Sequence, residues 1–385
     1  MRGRGVRLCS YALTLEAFRR GLSVSFHTPA SLPTSLPGLG TRVSPCELFS
    51  VSDGQVCVSF RRTRSDRLTA EALRACNHKR TAKMLWRKAG VSTPDCELIG
   101  HDMPEKEIKG AVGRLGGPLV LKPVAGFQGR HVITDLQGLR AVCDAVEGLR
   151  RSGLEQPLLL ETQATGDEYR VYVVGDRVVA GYRRTSARVV GDGRSIIAEL
   201  IERKNIQRKH SPHLSSRPIP VDERLQTRLA MRGIGLDHVP AQDEDVVLSG
   251  ALNLSQGGEG LEDPALIPPA ARDMAVRAVL AVPGLPHGGV DLLVDSTSGN
   301  AQVQVLEINA TAQIGGHLFP AAGRPSDVPA EILGYYFPET TRQHEAWFCI
   351  KEVVRALKRS PDGEVRIEPV STRTSSAGRV RIAAG

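Results

Sequence analysis

A carboxylate and an amide stand two residues apart at the end of a predicted strand, in Glu307-Ile-Asn309. Because side chains alternate along a strand, we expect both to share one face with Val303 and Val305. Asp291, on the preceding predicted strand, can join them. Three hard oxygen donors on neighbouring strands favour Mg²⁺. A lone Glu-x-Asn is more often a solvated strand end, so this motif needs support from elsewhere in the chain.

A lysine at the end of an apolar strand is followed by a glycine turn. Lys122 is the lysine, and the turn is Gly126-Phe-Gln-Gly129, with Arg130 beside it. Backbone N–H groups of such a turn can face phosphate oxygens, and a lysine tip is a point charge suited to phosphate. The alternative is a hairpin with an edge lysine. Neither G-x-x-x-x-G-K-[ST] nor G-x-G-x-x-G occurs.

Two glutamates bracket the exit of another predicted strand. The stretch Glu161-Thr-Gln-Ala164 can read an adenine ring through its backbone, and Glu168 can accept hydrogen bonds from a ribose. Taken alone, these residues are better explained as an ordinary solvated turn.

Alternating helices and strands must position these side chains, which predicts an α/β or α+β fold with several sheets. A turn at Gly175-Asp176 predicts a hairpin. The predicted helices cover 77–89, 136–149, a segment from 195 and 268–282, the predicted strands cover 118–123, 132–134, 158–161, 169–174, 177–180, 289–294 and 301–308, and 203–220 is predicted as a loop. Beyond 360 the composition predicts a tail that need not be ordered.

Composition narrows the classes of protein. The 385 residues are enough for two or three packed units, and the net charge of +8 makes phosphate, an acidic substrate or nucleic acid the first partners to consider. Between 166 and 232 there are 14 Arg and Lys against 8 Asp and Glu, so most of the surplus is local. Only 4% of residues are aromatic, which argues against a single-strand nucleic-acid binder. Seven scattered cysteines and no apolar span indicate a soluble, cytoplasmic protein that binds no membrane.

The order, types and spacing of these residues resemble the ATP-grasp superfamily, most closely the ATP-grasp part of cyanophycin synthetase and of the bifunctional glutathione synthetases. The resemblance covers about residues 60 to 340. The stretches that carry it are Asn77-His-Lys79-Arg-Thr-Ala-Lys83, Gly166-Asp-Glu-Tyr-Arg170, Arg188-Val-Val-Gly-Asp-Gly193, Glu199-Leu-Ile201, Asn253-Leu-Ser-Gln-Gly-Gly258, Gly289-Val-Asp291, Glu307-Ile-Asn309 and His317.

The resemblance implies a role for each matching position. It implies that Lys79, Lys122 and the loop containing Gly126, Gln128 and Gly129 contact phosphate. It implies that the adenine strand consists of Glu161, Thr162, Gln163 and Ala164, and that Glu168 contacts the ribose. The implied Mg²⁺ ligands are Asp291, Glu307 and Asn309. Arg170, Arg184 and Asn253 are expected near the acyl-phosphate or substrate carboxylates. His317 either orients the acceptor or bonds to a loop carbonyl.

The implied activity is an ATP-dependent carboxylate–amine ligase that uses ATP and Mg²⁺, with Mn²⁺ as a substitute, and forms an amide through an acyl-phosphate. The implied units are an N-terminal α/β domain (1–76), a small lobe (77–165), a large lobe (166–345) with a basic insert (183–232), and a C-terminal helix with a flexible tail (346–385). Phe127 and His131 make the phosphate loop bulky, and the Pro-Gly often found after the metal motif is missing. No second ATP-binding module follows, which implies a stand-alone ligase.

Three questions stay open at this level. The same ATP clamp can serve a small-molecule kinase, and a basic nucleic-acid-binding protein is a less favoured alternative. The basic insert suggests that at least one small-molecule substrate is anionic, but a solvated basic face explains it equally well. A homodimer is compatible with the sequence.

Overall fold

The computed structural model describes residues 7–39, 43–126, 129–250, 257–297, 301–360, 363–369 and 378–383. The helices are α1 Arg7–Arg19, α2 Ala70–Asn77, α3 Lys79–Lys88, α4 Glu105–Leu115, α5 Gly138–Arg151, α6 Ile197–His210, α7 Glu223–Ala230, α8 Pro269–Leu280, α9 Gly315–Leu318, α10 Val328–Tyr336 and α11 Ile350–Arg359. The strands are β1 Ser23–His27, β2 Leu48–Ser52, β3 Cys57–Arg61, β4 Arg64–Ser65, β5 Cys96–Ile99, β6 Leu119–Pro123, β7 Ile133–Leu136, β8 Leu158–Thr162, β9 Asp167–Val174, β10 Arg177–Thr185, β11 Arg188–Val190, β12 Asp245–Val247, β13 Glu259–Glu262, β14 His287–Asp295, β15 Gln302–Asn309, β16 Ala322–Gly323, β17 Glu364–Pro369 and β18 Gly378–Ala383.

The N-terminal sheet is completed by the C-terminal end of the chain. Its strand order is β18-β17-β1-β2-β3-β4, and β1 pairs with both β2 and β17. The predicted flexible tail is therefore wrong for 364–369 and for 378–383. The physical reason is the alternation in Glu-Val-Arg-Ile, which buries Val365 and Ile367 in the same core as Phe26 and Phe49.

The small sheet has the order β5-β8-β6-β7 and carries the predicted phosphate elements. Helices α4 and α5 cover it, and Val142, Val146 and Leu149 of α5 are buried as their helical spacing predicts. The strand that ends in Lys122 and the strand that contains Glu161 are neighbours in this sheet. The predicted phosphate lysine and the predicted adenine strand thus lie side by side.

The large sheet has the order β15-β14-β9-β10-β13-β16. Strands β9 and β10 form the predicted hairpin, with Gly175 in the left-handed region at φ 59°. One face of the sheet packs on α8, and Tyr172 and Val174 belong to the core of the N-terminal sheet. No helix in the described part of the chain is long and apolar enough to span a membrane.

Helix α3 packs with the large sheet rather than with the small one. Its Trp86 is buried, donates a hydrogen bond to the Ala278 carbonyl, and shares a core with Ala82 and Val171. The predicted boundary at 77 therefore differs from the packing, in which the core of the small sheet begins near β5. The reason is the apolar face of α3, which is used against α8 and the large sheet.

The basic insert folds around a core of its own. Strands β11 and β12 pair, and α6 and α7 pack against them through Ile197, Ile201, Leu225 and Leu229. Helix α6 extends to His210, so the predicted loop is wrong over 203–210. The Lys, Arg and Gln residues of this segment favour a helix. Arg208 is buried and forms an ion pair with the Glu259 carboxylate, so this basic residue stabilises the fold.

Candidate active site

Two lysines share one buried glutamate at the centre of the small sheet. Lys122 Nζ lies 2.6 Å from Glu161 Oε2, and Lys83 Nζ lies 3.3 Å from Glu161 Oε1. The side chains of Lys83 and Glu161 are 1% and 3% exposed, and that of Lys122 is 10% exposed. Burial lowers the pKa of Lys83 to about 8, against the opposing charge of Glu161. The three side chains, which we call the lysine–glutamate triad, carry a surplus of one positive charge when all are ionised.

Lys79 joins the glycine loop to the end of β15. Its Nζ donates a 2.7 Å hydrogen bond to the Gly126 carbonyl and lies 3.8 Å from Glu307 Oε1. Gly129 adopts φ 68°, which a glycine accepts without strain. Gln128 lies outside the described residues. One lysine therefore brings the predicted phosphate loop and the predicted metal motif to the same place.

Two N–H groups of the predicted adenine strand already have protein partners. Thr162 N–H donates to the Asp95 carbonyl and Gln163 N–H to the Pro118 carbonyl, both at 2.9 Å. The Gln163 side chain bonds to Asp135. Glu161 faces the lysines and lies in a strand that is paired on both sides. Ala164 lies two residues beyond the end of this strand, and the contact of residues 161–164 with an adenine ring stays a prediction.

A β-bulge changes the face on which Glu307 emerges. Asp291 pairs with Glu307 but Leu292 pairs with Val305, so Leu306 is the extra residue. As a result Val303, Val305, Ile308 and Ala310 are buried in the core, and Glu307 and Asn309 are turned to the opposite face. The predicted shared face with Val303 and Val305 is therefore wrong, because strict alternation fails at a bulge. The bulge lets a core-facing strand end in polar donors.

A row of polar side chains crosses the large sheet in register. The polar row consists, from strand to strand, of Glu307, Asp291, Arg170, Tyr182 and Glu262. Residues directly opposite one another point to the same face of a sheet. The sheet thus presents several charged groups along one line, although they come from strands far apart in sequence.

Asp291 is held by two arginines. Arg170 Nε and Nη2 lie 2.5 and 2.7 Å from its two oxygens, and Arg184 Nη2 lies 2.8 Å from Oδ1. Arg184 also contacts Glu168 at 3.0 Å. A Cβ on Gly289 would lie 3.0 Å from Arg170 Nη1, so glycine leaves room for the guanidinium. The predicted catalytic arginines and the predicted ribose carboxylate are brought together around this aspartate.

The carboxyl groups of this region differ in pKa. Burial would raise the pKa of Asp291, but the charges of Arg170 and Arg184 lower it below its ordinary value. Burial raises the pKa of Glu307 in spite of Lys79, and it raises the pKa of Glu168 in spite of Arg184. Asp291 is therefore ionised and neutralised by the protein, whereas Glu307 and Glu168 are less fully compensated and would gain from an added cation.

The predicted metal ligands fit Mg²⁺ in type. Asp291 and Glu307 are direct cross-strand neighbours, and carboxylate and amide oxygens are the donors that hard cations prefer. In the described part of the chain no cluster of three His, Cys, Asp or Glu side chains could hold an ion. With both Asp291 oxygens accepting from arginine, Glu307 and Asn309 are the donors less committed to the protein.

His317 is sealed inside the protein. Its Nδ1 donates a 2.8 Å hydrogen bond to Glu262 Oε2, and both side chains are fully buried. Glu262 Oε1 also accepts from the Ser326 hydroxyl and from the Gly181 N–H. The ring of Tyr172 contacts the rings of both His317 and His287. We call Glu262, His317, Ser326, Tyr172 and His287 the sealed cluster. Asn253, the other predicted substrate contact, lies outside the described residues.

Several basic side chains of the insert form ion pairs with carboxylates of the protein itself. Arg203 bonds to Asp192, while Lys204 and Arg208 both contact Glu259. Arg217 differs, because its Nη2 donates to Gln313 Oε1 at 2.7 Å and its Nη1 contacts the ring of His213. Within the described residues Arg217 meets no carboxylate. The insert therefore supplies a half-buried cation beside the segment that follows Asn309.

Sequence reasoning gave no role to Lys83, Glu262 or Arg217. A signal existed for Lys83, which lies on the apolar face of α3 next to Ala82 and three residues before Trp86; a charge at such a position indicates a buried partner. Glu262 and Arg217 have no such signal, because His317, the partner of Glu262, and Gln313, a partner of Arg217, are more than 50 residues away in the chain.

Comparison with known proteins finds similar chains. Residues 75–202 match the RimK-like ATP-grasp domain family. The glutathione biosynthesis bifunctional protein GshAB of Mannheimia succiniciproducens is 28% identical over 270 residues, which are 68% of this chain and 35% of that protein. Cyanophycin synthetase of Trichormus variabilis is 29% identical over 272 residues, 69% of this chain and 29% of that protein. The chain thus spans about a third of the length of these relatives.

A solved structure shows the same fold. The bifunctional glutathione synthetase from Pasteurella multocida aligns with a TM-score of 0.64 and 21% identity, over 86% of this chain and 43% of that one. Residues 75–202 match the RimK-like ATP-grasp model and the solved structure shares the fold, so the predicted α/β fold class and the resemblance to the ATP-grasp superfamily are both confirmed.

Proposed function

We propose that the protein is an ATP-dependent ligase that joins a carboxylate to an amine through an acyl-phosphate. The observation that carries the proposal is Lys79, which links the Gly126 loop of the small sheet to Glu307 of the large sheet. A triphosphate between the two sheets would meet Lys79 and Lys122 on one side and the carboxylate end of β15 on the other.

The reaction needs positioning and charge neutralisation rather than a protein nucleophile. A substrate carboxylate oxygen attacks the γ-phosphorus of ATP and ADP leaves; an amine then attacks the acyl carbon, phosphate leaves and the amine loses a proton. Lys122 and Lys79 hold the phosphoryl oxygens, and Arg170 and Arg184 hold the carboxylate end of the site. Asp291, Glu307 and Asn309 would hold Mg²⁺, or Mn²⁺ in its place, which neutralises phosphate charge when bound.

At least one substrate is expected to be anionic, an amino acid or a short peptide with a free carboxylate. The support is Arg217, whose partners Gln313 and His213 leave its charge without a carboxylate in the described part of the chain. Its electrostatic neighbours include Tyr182, which is opposite Arg170 in the polar row. A substrate carboxylate at Tyr182 would thus meet a guanidinium from the insert.

The test is a screen for ADP release with ATP, Mg²⁺ and pairs of amino acids or short peptides, followed by mass spectrometry of the product. The proposal requires ADP release that depends on both a carboxylate and an amine, and a product lighter by one water than the sum of the two. A stable phosphorylated product formed without an amine would identify a small-molecule kinase instead. Absence of ATP binding would refute both.

A further inference from the structure

Lys83 is a buried lysine to which the proposed chemistry gives no task. It is 1% exposed, and its Nζ donates 2.7 Å and 3.1 Å hydrogen bonds to Thr93 Oγ1 and the Pro94 carbonyl. Its only carboxylate neighbour in the described part of the chain is Glu161, at 3.3 Å. Burying an ammonium is costly unless it is paired, so this placement calls for a reason.

The reason lies in the charge balance of the triad. Glu161 has one negative charge and is 2.6 Å from Lys122 through its other oxygen. Without Lys83, that buried carboxylate would neutralise Lys122 and hold it by an undivided ion pair. With Lys83 in place, the carboxylate is shared between two ammonium groups, and the triad keeps one net positive charge at the more exposed lysine.

We propose that Lys83 is a positioning residue that compensates the charge of Glu161, so that the Lys122 ammonium stays fixed in direction yet electrostatically available to a phosphate of ATP. Glu161 then acts as the anchor of a phosphate lysine rather than as a contact for adenine. This inference rests on the proposed ATP-dependent function.

The same lysine ties the phosphate site to the strand of the metal motif. Thr93 Oγ1, which accepts from Lys83, donates a 2.8 Å hydrogen bond to the Val305 carbonyl. Val305 N–H in turn donates to the Ser92 carbonyl at 2.9 Å. Val305 lies two residues before Glu307. The triad is therefore fixed relative to β15, which carries Glu307.

The experiment measures dissociation constants of Mg·ATP and of adenosine by titration calorimetry for the full chain and four variants. Lys83→Met should weaken Mg·ATP binding about tenfold and leave adenosine binding unchanged, because only the phosphate contact loses charge. Lys83→Met combined with Glu161→Gln should bind Mg·ATP within about threefold of the unaltered chain, since removal of both charges restores the surplus on Lys122. Lys88→Met, an exposed lysine of the same helix, is the control and should change neither constant.

Lys122→Met completes the set, with the largest loss of Mg·ATP affinity. Equal affinity of the Lys83→Met variant and the unaltered chain would overturn the inference, as would a double variant that binds no better than Lys83→Met. If Lys83→Met does not fold, the double variant decides, because charge compensation requires it to bind Mg·ATP nearly normally. Failure of the unaltered chain to bind Mg·ATP refutes the proposed function itself, which separates the two results.

Discussion

Each end of the polar row is a glutamate, but the two carboxylates differ in their burial and in the number of groups that bond to them. At one end, Glu307 is 27% exposed and its cationic neighbour Lys79 is 3.8 Å away. At the other end, Glu262 is fully buried and accepts three hydrogen bonds, from His317, Ser326 and the Gly181 backbone. One carboxylate is left under-compensated, and the other is completely satisfied.

The difference indicates that residues on the same face of the large sheet have two roles, catalysis at one end and stabilisation of the fold at the other. A buried carboxylate that accepts three hydrogen bonds fixes β13 against the segment after Asn309, and its complete burial keeps it from a substrate. A partly buried carboxylate beside a lysine, such as Glu307, can exchange partners for a cation. We therefore expect changes at the Glu307 end to alter turnover and changes in the sealed cluster to alter stability.

Glu262→Ala should produce the largest effect. It leaves His317, the Ser326 hydroxyl and the Gly181 N–H without their buried acceptor, and loss of one partner of such a pair costs about 3–5 kcal/mol of unfolding free energy. Denaturant titration measures this, with the exposed Glu339→Ala as the control. A variant that melts like the unaltered chain but turns over slowly would place the sealed cluster in the catalytic machinery and break the comparison.

Glu307→Gln should cost roughly 10²–10³ in the rate of ADP release, by analogy with loss of one preorganised charge-stabilising group. Its unfolding free energy should stay within about 0.5 kcal/mol, because the side chain is partly exposed. Assays of ADP at fixed time points give the rate, and thermal melts give the change in unfolding free energy. Glu71→Gln, on the surface of α2, serves as the matched control. Near-normal turnover would remove Glu307 from the metal site.

The sealed cluster also predicts a dependence of stability on pH. Burial lowers the pKa of His287 from 6.5 to about 4, so between these values the unfolded chain binds a proton that the folded chain does not. Stability from this group is complete above pH 6.5 and falls as the pH drops towards 4, by on the order of 3 kcal/mol. His287→Gln should flatten this part of the profile, whereas the half-exposed His101→Gln should not. Parallel profiles for all three proteins would contradict the expectation.

The sequence was sufficient for what depends on neighbouring residues. The hairpin at Gly175-Asp176, the helix over α5 and the donor types at Glu307 and Asn309 follow from local spacing, and the resemblance adds the fold. The face of Glu307 could not be predicted, because the bulge at Leu306 depends on pairing with β14. The anchoring of Lys122 could not be predicted either. Its partner Glu161 lies on another strand, and the second cation that contacts Glu161 is Lys83 of α3.

Arg217, whose charge acts on Tyr182 of the polar row, should have the smallest effect. Arg217→Met should raise the KM for the carboxylate substrate found in the screen about tenfold and leave the KM for ATP unchanged, because the lost charge faces Tyr182 rather than the phosphate loop. Arg217→Lys should recover part of the loss, and the exposed Arg224→Met of the same insert should show none. A rise in both KM values would mean that the insert supports the ATP site, and no change at all would assign Arg217 to the packing of the insert. In the expected case, Tyr182 marks the part of the polar row at which substrate specificity is set, next to the Glu262 end that stabilises the fold and on the side that leads to Glu307.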